Sequence, residues 1–170
     1  HRTELVREAV ERANRLTTSM DRGVVGIVVN RVADARAIFE RLDLGGDQKL
    51  LLTGRVRGWE RDDLLHRWLP SLRAGDREPA QKPLAVVATQ CVEVGANLDF
   101  DALVTEVAPL DSLRQRFGRL NRLGHREAAH AAILATVRQV ELGEGGDAPD
   151  AVYGHALART WAWLQSQASG

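Results

Sequence analysis

Continuous apolar segments that alternate with helical patterns are the feature that most limits what this chain can fold into. Residues 24–29 contain only Val, Ile and Gly, and they are bounded by Gly23 and Asn30. An apolar run of this length is typical of a strand buried on both faces, as in a parallel sheet. Residues 32–42 then repeat apolar side chains at helical spacing, and residues 49–53 form a second short strand pattern. This order predicts a β-α-β unit.

The rest of the chain continues the same alternation. The patterns predict helices over residues 3–16, 59–72 and 151–167 and strands over residues 84–88, 102–106 and 131–137. The 170 residues therefore fit a single α/β domain with a largely parallel sheet of five or six strands and helices on both faces. In this architecture a ligand lies beyond the carboxyl ends of the strands, where the connecting loops converge.

The charge balance and the single cysteine limit the ligands and the cellular compartment that the sequence allows. The 23 basic residues balance the 23 acidic ones, so a site for a polyanion must be a local patch. Cys91 is the single cysteine, which excludes an internal disulfide and favours a reducing cytoplasm. No apolar stretch approaches the roughly 20 residues that span a bilayer, so we expect no membrane partner. The chain begins at His1 rather than Met, which indicates a fragment of a longer protein.

An arginine-rich segment, residues 113–126, is the best candidate for such a patch. If the segment is one helix, four polar side chains share a face: Gln115, Arg119, Arg122 and Arg126. Guanidinium groups are forked donors suited to phosphate oxygens. A solvated helix face is the alternative. However, no carboxylate lies between Asp111 and Glu127, so the arginines here have no local acidic partner, which favours an anionic ligand.

Two segments together resemble helicase motifs. Residues 88–101, ATQCVEVGANLDFD, resemble motif V of superfamily 2 helicases, and residues 115–122, QRFGRLNR, resemble motif VI in the expected order and separation. The variant of motif V and the sequence APLDSL before motif VI most resemble the CRISPR-associated helicase-nuclease of type I systems. Residues 28–35 and 51–55 are similar to earlier segments of that family, so the resemblance covers residues 24–138.

The resemblance implies that residues 1–170 are the second, C-terminal RecA-like domain of a two-domain motor. ATP with Mg²⁺ would bind between the domains, held mainly by an N-terminal RecA-like domain that this sequence lacks. Single-stranded nucleic acid, with DNA favoured, would cross both domains, and a CRISPR effector complex is an implied partner. Because the sequence contains no phosphate loop, we expect the fragment alone to be inactive as an ATPase.

The same resemblance assigns roles to individual residues. Arg119 and Arg122 would act as arginine fingers on the triphosphate, and Gln115 would contact the γ-phosphate or position the attacking water. The candidate ATP-binding residues are Gly95, Asn97 and Asp99, and the candidate nucleic-acid-binding residues are Thr89, Gln90, Arg55 and Asn30. Asn97 stands where the family commonly has Asp, and Asp99 could supply the missing carboxylate. Arg116 is expected to face away from the other arginines.

Several alternatives stay open on the residues alone. Motifs V and VI contact the nucleic-acid backbone, so the chain could belong to an RNA helicase. It could also be a non-catalytic RecA-like interaction module. Thr89 could simply cap the end of its strand. The carboxylates of Glu93, Asp99 and Asp101 could hold a divalent metal ion, but motor ATPases usually hold magnesium from the first domain, so we expect no metal site here.

Overall fold

The structure, a computed structural model, describes residues 2–54, 68–75, 80–93, 97–140, 150 and 152–168. Its strands are β1 (Gly23–Val28), β2 (Lys49–Leu52), β3 (Pro83–Ala88), β4 (Ala102–Glu106) and β5 (His130–Leu134). Its helices are α1 (Arg2–Thr18), α2 (Val32–Arg41), α3 (Leu110–Phe117), the one-turn α4 (Val137–Val140) and α5 (Ala156–Ala168). A 3-10 turn spans Gln90–Val92, and residues 68–72 are helical. None of the helices in these ranges is long and apolar enough to cross a membrane.

The five strands form one parallel sheet in the order β2-β3-β1-β4-β5. This confirms the predicted parallel α/β architecture. From β1 the chain runs toward β2, at one edge of the sheet, and from β4 it runs toward β5, at the opposite edge. Adjacent strands with diverging connections open a crevice at their carboxyl ends, where parallel α/β proteins bind ligands. The crevice of this domain therefore lies beyond Val28 and Glu106.

Apolar side chains fill both faces of the sheet, which explains the continuous apolar runs in the sequence. On one face, Ile27, Val87 and Val104 pack with α1 and α2. The opposite face packs against other segments, with these buried members: Trp68, Leu72, Val92, Leu98 and Phe100. Every residue of β1 and β4 is buried. The prediction that both faces are covered is confirmed.

The ring of Phe100 lies directly on the central strand at Gly26. A Cβ atom at Gly26 would stand 2.5 Å from Cδ2 of that ring, so only glycine fits under it. The backbone of Phe100 also bonds the segment that follows α3. Its N–H donates to the carbonyl of Arg119 at 2.7 Å, and its carbonyl accepts from the N–H of Asn121 at 2.8 Å. Phe100 thus joins the middle of the sheet to the arginine-rich segment.

The arginine-rich segment is not one continuous helix, and that prediction is wrong. Helix α3 ends at Phe117, and the N–H of Gly118 closes its last turn on the carbonyl of Arg114 at 2.9 Å. The chain then pairs with Phe100 instead of continuing the helical ladder, and Asn121 adopts a left-handed φ of 44°. Asparagine tolerates this conformation better than most residues. Arg119, Arg122 and Arg126 therefore do not share a helix face with Gln115.

The predicted strand over residues 131–137 ends earlier, because a helix cap competes for its last residues. The N–H of Thr136 donates to Oε1 of Gln139 at 3.0 Å, and the Thr136 hydroxyl lies 3.1 Å from the same oxygen. A Thr at the cap with Gln three residues later is the pattern of a capping box. This pair starts α4 at Val137.

The last predicted helix, residues 151–167, also begins later, at Ala156. Oδ1 of Asp150 accepts hydrogen bonds from the N–H groups of Val152 and Tyr153, at 3.0 and 3.2 Å. This turn occupies the chain before the helix starts. The first part of the predicted helix over residues 59–72 and two candidate residues, Arg55 and Gly95, lie outside the described residues.

Candidate functional site

A buried carboxylate stands at the carboxyl end of β4, inside the crevice. The side chain of Glu106 has no exposed surface. Its Oε1 accepts hydrogen bonds from Nη1 of Arg2 at 2.6 Å and Nε2 of Gln139 at 2.7 Å. Its Oε2 accepts from the N–H of Asn30 at 2.7 Å, and Arg2 also pairs with Asp34. A charge can be buried at this position because both of its oxygens are hydrogen-bonded.

The guanidinium of Arg116, which bonds to the main-chain carbonyl of Glu106, is also fully buried. Its Nε donates to Oε1 of Glu93 at 2.8 Å. Its remaining bonds go to Thr105 Oγ1 at 3.0 Å, the Glu106 carbonyl at 3.0 Å and Asn30 Oδ1 at 2.9 Å. We call Glu93, Arg116, Asn30, Thr105 and Glu106 the crevice cluster. Arg116 is therefore buried while Gln115 and Arg122 are exposed, and the expectation that it faces away from the other arginines stays a prediction.

Asn30 is a hub of the crevice cluster. Besides the bond from Arg116 to its oxygen, its Nδ2 donates to the carbonyl of Val107 at 2.8 Å. Its own carbonyl accepts from Nε2 of Gln90 at 3.0 Å. Both polar atoms of the Asn30 side chain are therefore already bonded to protein atoms. The structure places Asn30, predicted to contact nucleic acid, in a supporting position beneath the crevice.

Thr89 and Gln90 follow β3 and form the next part of the crevice. Thr89 is only 4% exposed, and its N–H donates to the carbonyl of Leu52 at 3.2 Å. Its hydroxyl makes no capping hydrogen bond to the following turn. Gln90 is half-buried, and its Nε2 donates to Oη of Tyr153 at 2.7 Å as well as to Asn30. Gln90 thus connects the central strand to the segment before α5.

Tyr153 sits in a turn that an ion pair holds against the crevice. Oδ2 of Asp150 lies 3.5 Å from Nη2 of Arg31, the residue after Asn30. Burial raises the pKa of Asp150, but the N–H groups of Val152 and Tyr153 and the charge of Arg31 outweigh it, so the net pKa is lowered. Sequence reasoning missed Tyr153, because nothing local relates it to Gln90.

Arg119 and Arg122 lie beyond the end of α3. Arg119 donates from Nε to the carbonyl of Val92 at 3.3 Å and from Nη2 to the carbonyl of Glu93 at 3.1 Å. The N–H of Arg122 donates to Oδ1 of the buried Asp99 at 2.8 Å, while its side chain is exposed. Burial, followed by the charge of Arg122, lowers the pKa of Arg119. Two neighbouring cations raise each other's energy, and a bound anion would relieve that repulsion.

The remaining polar residues of this segment divide into paired and exposed side chains. Nε of Arg126 lies 2.8 Å from Oδ1 of Asp101, a partner distant in sequence. Arg114, Gln115 and Arg122 are exposed, and within the described ranges their side chains have no hydrogen bond or ion pair. We call these three, together with Arg119, the arginine surface. The sequence predicts no local acidic partner for these arginines, and the acidic partners of Arg116 and Arg126 in the structure are indeed distant in sequence.

The remaining candidates have separate protein partners. Nδ2 of Asn97 donates to the carbonyl of Ala74 at 3.1 Å. Glu93 pairs with Arg116, while Oδ2 of Asp101 accepts from the N–H of Val24 at 2.6 Å. Across the described part of the chain, no three metal-ligating side chains converge. The carboxylates of Glu93, Asp99 and Asp101 hold the backbone and the arginines in place.

The sequence that forms this site matches a known protein family. The family described as CRISPR-associated nuclease/helicase Cas3, C-terminal, matches residues 21–125, which is more than half of the chain. The matched range includes the crevice cluster and the arginine surface. The chain belongs to this family. The predicted resemblance to the C-terminal helicase domain of Cas3 is thus confirmed.

Individual Cas3 proteins show the same relationship. The CRISPR-associated nuclease/helicase Cas3 of Streptococcus thermophilus is 33% identical over 158 residues, which cover 84% of this chain and 16% of that protein. A crystal structure of T. fusca Cas3 is 25% identical with a TM-score of 0.71, covering 94% of this chain and 20% of that one. A T. fusca Cas3-ADP crystal structure is 25% identical with a TM-score of 0.70, covering 95% and 20%.

The chain spans a fifth or less of the length of these Cas3 proteins. Its single described α/β domain has the fold of the corresponding part of the T. fusca protein. This chain is a CRISPR-associated helicase domain of the Cas3 type.

Proposed function

We propose that this Cas3-type domain is the second motor domain of an ATP-dependent single-stranded DNA translocase or helicase that acts in CRISPR interference. Residues 1–170 would form the C-terminal RecA-like domain, working with an N-terminal RecA-like domain and a CRISPR effector complex. In this proposal the segment after β3 contacts the nucleic-acid backbone, and Gln115, Arg119 and Arg122 reach the triphosphate of ATP. The curated relative is a CRISPR-associated nuclease/helicase, which supports this assignment.

The proposal rests on Arg122, whose backbone is held in place while its side chain is exposed. Asp99 holds its N–H, while the guanidinium is exposed and has no partner in the described part of the chain. Arg119 stands nearby, held at one edge by the carbonyls of Val92 and Glu93. This donor set suits a polyphosphate, because each guanidinium offers several forked N–H donors.

ATP with Mg²⁺ would supply the phosphoryl group that is transferred to water. Arg119 and Arg122 would neutralise negative charge that grows on the phosphate oxygens, as an arginine finger from a neighbouring domain does. Gln115, exposed on α3, would contact the γ-phosphate or orient the attacking water. The T. fusca Cas3-ADP structure supports nucleotide binding by a protein of this family. The chain lacks a phosphate loop, so we expect it to hydrolyse no ATP by itself.

The segment after β3 would contact single-stranded nucleic acid. Gln90 is half-buried beside Tyr153, and Thr89, a buried residue whose hydroxyl donates to Sγ of Cys91 at 4.0 Å, lies at the same end of the sheet. Such contacts with the phosphate backbone fix the position of a strand and do not read its sequence. Asn30 would support Gln90 through its carbonyl. Arg55 remains a candidate contact outside the described residues, as Gly95 does for the nucleotide.

The test is DNA-stimulated ATP hydrolysis by the full-length protein with arginine substitutions. We expect Arg122→Ala to lower stimulated turnover by about 10³-fold, the lower end of the range for arginine fingers, and Arg119→Ala to have a similar effect. Arg114→Ala is the matched control, because Arg114 is equally exposed but lies outside motif VI. Turnover that stays normal in Arg122→Ala, or that falls equally in Arg114→Ala, would refute the proposal.

The same assay separates DNA from RNA and from a non-catalytic module. Single-stranded DNA and RNA of the same sequence are compared as activators. Stimulation by RNA alone would favour an RNA helicase, since proteins distinguish the two by the 2′-hydroxyl. A full-length protein that binds nucleic acid without hydrolysing ATP would instead favour the interaction module.

A further inference from the structure

Glu93 is held twice by the arginine-rich segment. Its carboxylate accepts a hydrogen bond from Nε of Arg116 at 2.8 Å, and its main-chain carbonyl accepts one from Nη2 of Arg119 at 3.1 Å. Nε of Arg119 also reaches the carbonyl of Val92 at 3.3 Å. The 3-10 turn that follows Thr89 is therefore joined to α3 by Arg116 and to the turn after α3 by Arg119.

The guanidinium groups of Arg116 and Arg119 differ in how firmly their positions are fixed. Arg116 is fully buried, and its other donors are bonded to Asn30, Thr105 and the carbonyl of Glu106. Those partners belong to the ends of β1 and β4, so this guanidinium has a fixed position relative to the sheet. Arg119 is half-buried and bonds only to carbonyl groups in the described part of the chain. Its position therefore depends on where those carbonyls lie.

The turn itself behaves as one short unit. The N–H of Glu93 donates to the carbonyl of Gln90 at 3.0 Å, and the N–H of Val92 donates to the carbonyl of Thr89 at 3.4 Å. A displacement of Thr89 or Gln90 is consequently carried to the carbonyls of Val92 and Glu93. The carboxylate of Glu93 limits that displacement, because its partner Arg116 is fixed.

We propose that Glu93 and Arg116 form a positioning pair that transmits nucleic-acid contact at residues 89–90 to the guanidinium of Arg119. The proposal rests on the proposed function and adds the residues that link its two sites. Arg116 acts as the fixed point, and Glu93 connects this point to the carbonyls that hold Arg119. Neither residue needs to touch ATP or nucleic acid in this role.

The competing explanation is that the pair only stabilises the fold. Removing one partner of a buried ion pair is destabilising in general, so loss of stability alone does not distinguish the two explanations. The degree to which single-stranded DNA accelerates ATP hydrolysis does distinguish them. This stimulation factor is a ratio of two rates of the same variant, so the folded fraction cancels once unfolding measurements show it to be equal with and without DNA.

The experiment compares stimulation factors of full-length variants with saturating DNA and without DNA. We expect Arg116→Lys and Glu93→Gln each to lower the factor about tenfold, a typical size for coupling between two sites. The double variant should lower it no further, because both substitutions break the same link. Arg116→Lys keeps the charge but loses the fork, and Glu93→Gln keeps an oxygen acceptor without charge.

Arg126→Lys is the matched control. Arg126 makes an ion pair of the same 2.8 Å length with Asp101, on the same segment, but without contact to residues 89–93. Its stimulation factor should equal that of the wild type. If Arg116→Lys fails to fold, Glu93→Gln alone decides the question.

Unchanged stimulation factors in folded Arg116→Lys or Glu93→Gln, with a normal wild type, would overturn this inference and leave the proposed function intact. Additive losses in the double variant would also overturn it. A wild-type protein whose turnover does not respond to nucleic acid would overturn the proposed function itself and this inference with it.

Discussion

The crevice cluster and the arginine surface use the same side chain in opposite ways. Arg116 is fully buried and makes four hydrogen bonds to protein atoms. Arg122, six positions later, is exposed, and the other described residues hold only its backbone N–H. The first guanidinium stabilises the place where two strands end, while the second keeps its donors for a ligand. A motif rich in arginine can therefore combine a structural residue with functional ones.

Among the substitutions that distinguish the two regions, Arg116→Ala is expected to cause the largest loss in free energy of unfolding. This substitution leaves the carboxylate of Glu93, which is only 10% exposed, without its cation, and leaves Asn30 without its donor. Breaking a buried ion pair in this way costs about 3–5 kcal/mol in free energy of unfolding. Chemical denaturation of the domain measures this loss. A change below about 1 kcal/mol would mean that the crevice cluster is not the stabilising region described here.

A smaller loss in free energy of unfolding is expected when the ion pair of Asp150 with Arg31, at the edge of the crevice, is removed. Because the pKa of Asp150 is lower in the folded chain than its ordinary value of about 4, its carboxylate stabilises the fold above that pH. This contribution is lost as the pH falls through the lowered folded pKa. Asp150→Asn should therefore lower the free energy of unfolding by at most about 1 kcal/mol at pH 7.

The pH dependence provides the control for this prediction. Well below pH 4 the wild type and Asp150→Asn should have the same free energy of unfolding, since the carboxyl is then neutral in both states of the wild type. A difference that persists unchanged in acid would show that the Asp150 turn acts through its shape and not through its charge.

The smallest effect on stability is expected for Arg122→Ala, the substitution with the largest expected effect on turnover. An exposed side chain without a protein partner contributes within about 0.5 kcal/mol. Thermal or chemical unfolding of this variant should match the wild type. A clear loss of stability would contradict the comparison, because the arginine surface would then support the fold as well.

The sequence was sufficient to predict the sheet because burial on both faces leaves a strong pattern. Residues 102–106 form a strand with the predicted bounds, β1 is shifted by one residue at both ends, and β2 and β3 differ from prediction by one residue at one end. The end of α3 was not predictable from periodicity, because backbone pairing with Phe100 replaces the helical bonds. The capping box of Thr136 and Gln139 was readable in the sequence, but the apolar pattern favoured a longer strand.

The candidate site was predictable only where residues act locally. Helical spacing places Arg116 and Gln115 on different sides of α3, because the helix extends through both residues. Its partner Glu93 lies 23 positions earlier, and no local pattern indicates that pair. The contact between Gln90 and Tyr153 joins residues 63 positions apart. Such pairs arise from the folded arrangement of strand ends, which a single sequence does not specify.

The close packing of Phe100 on Gly26 has a consequence for variants far from the crevice. Adding one methyl group at Gly26 would push the aromatic ring outward, and the backbone of Phe100 holds Arg119 and Asn121. Heat-sensitive, loss-of-function alleles are therefore expected in the middle of the sheet, where a screen limited to solvent-facing positions would never find them.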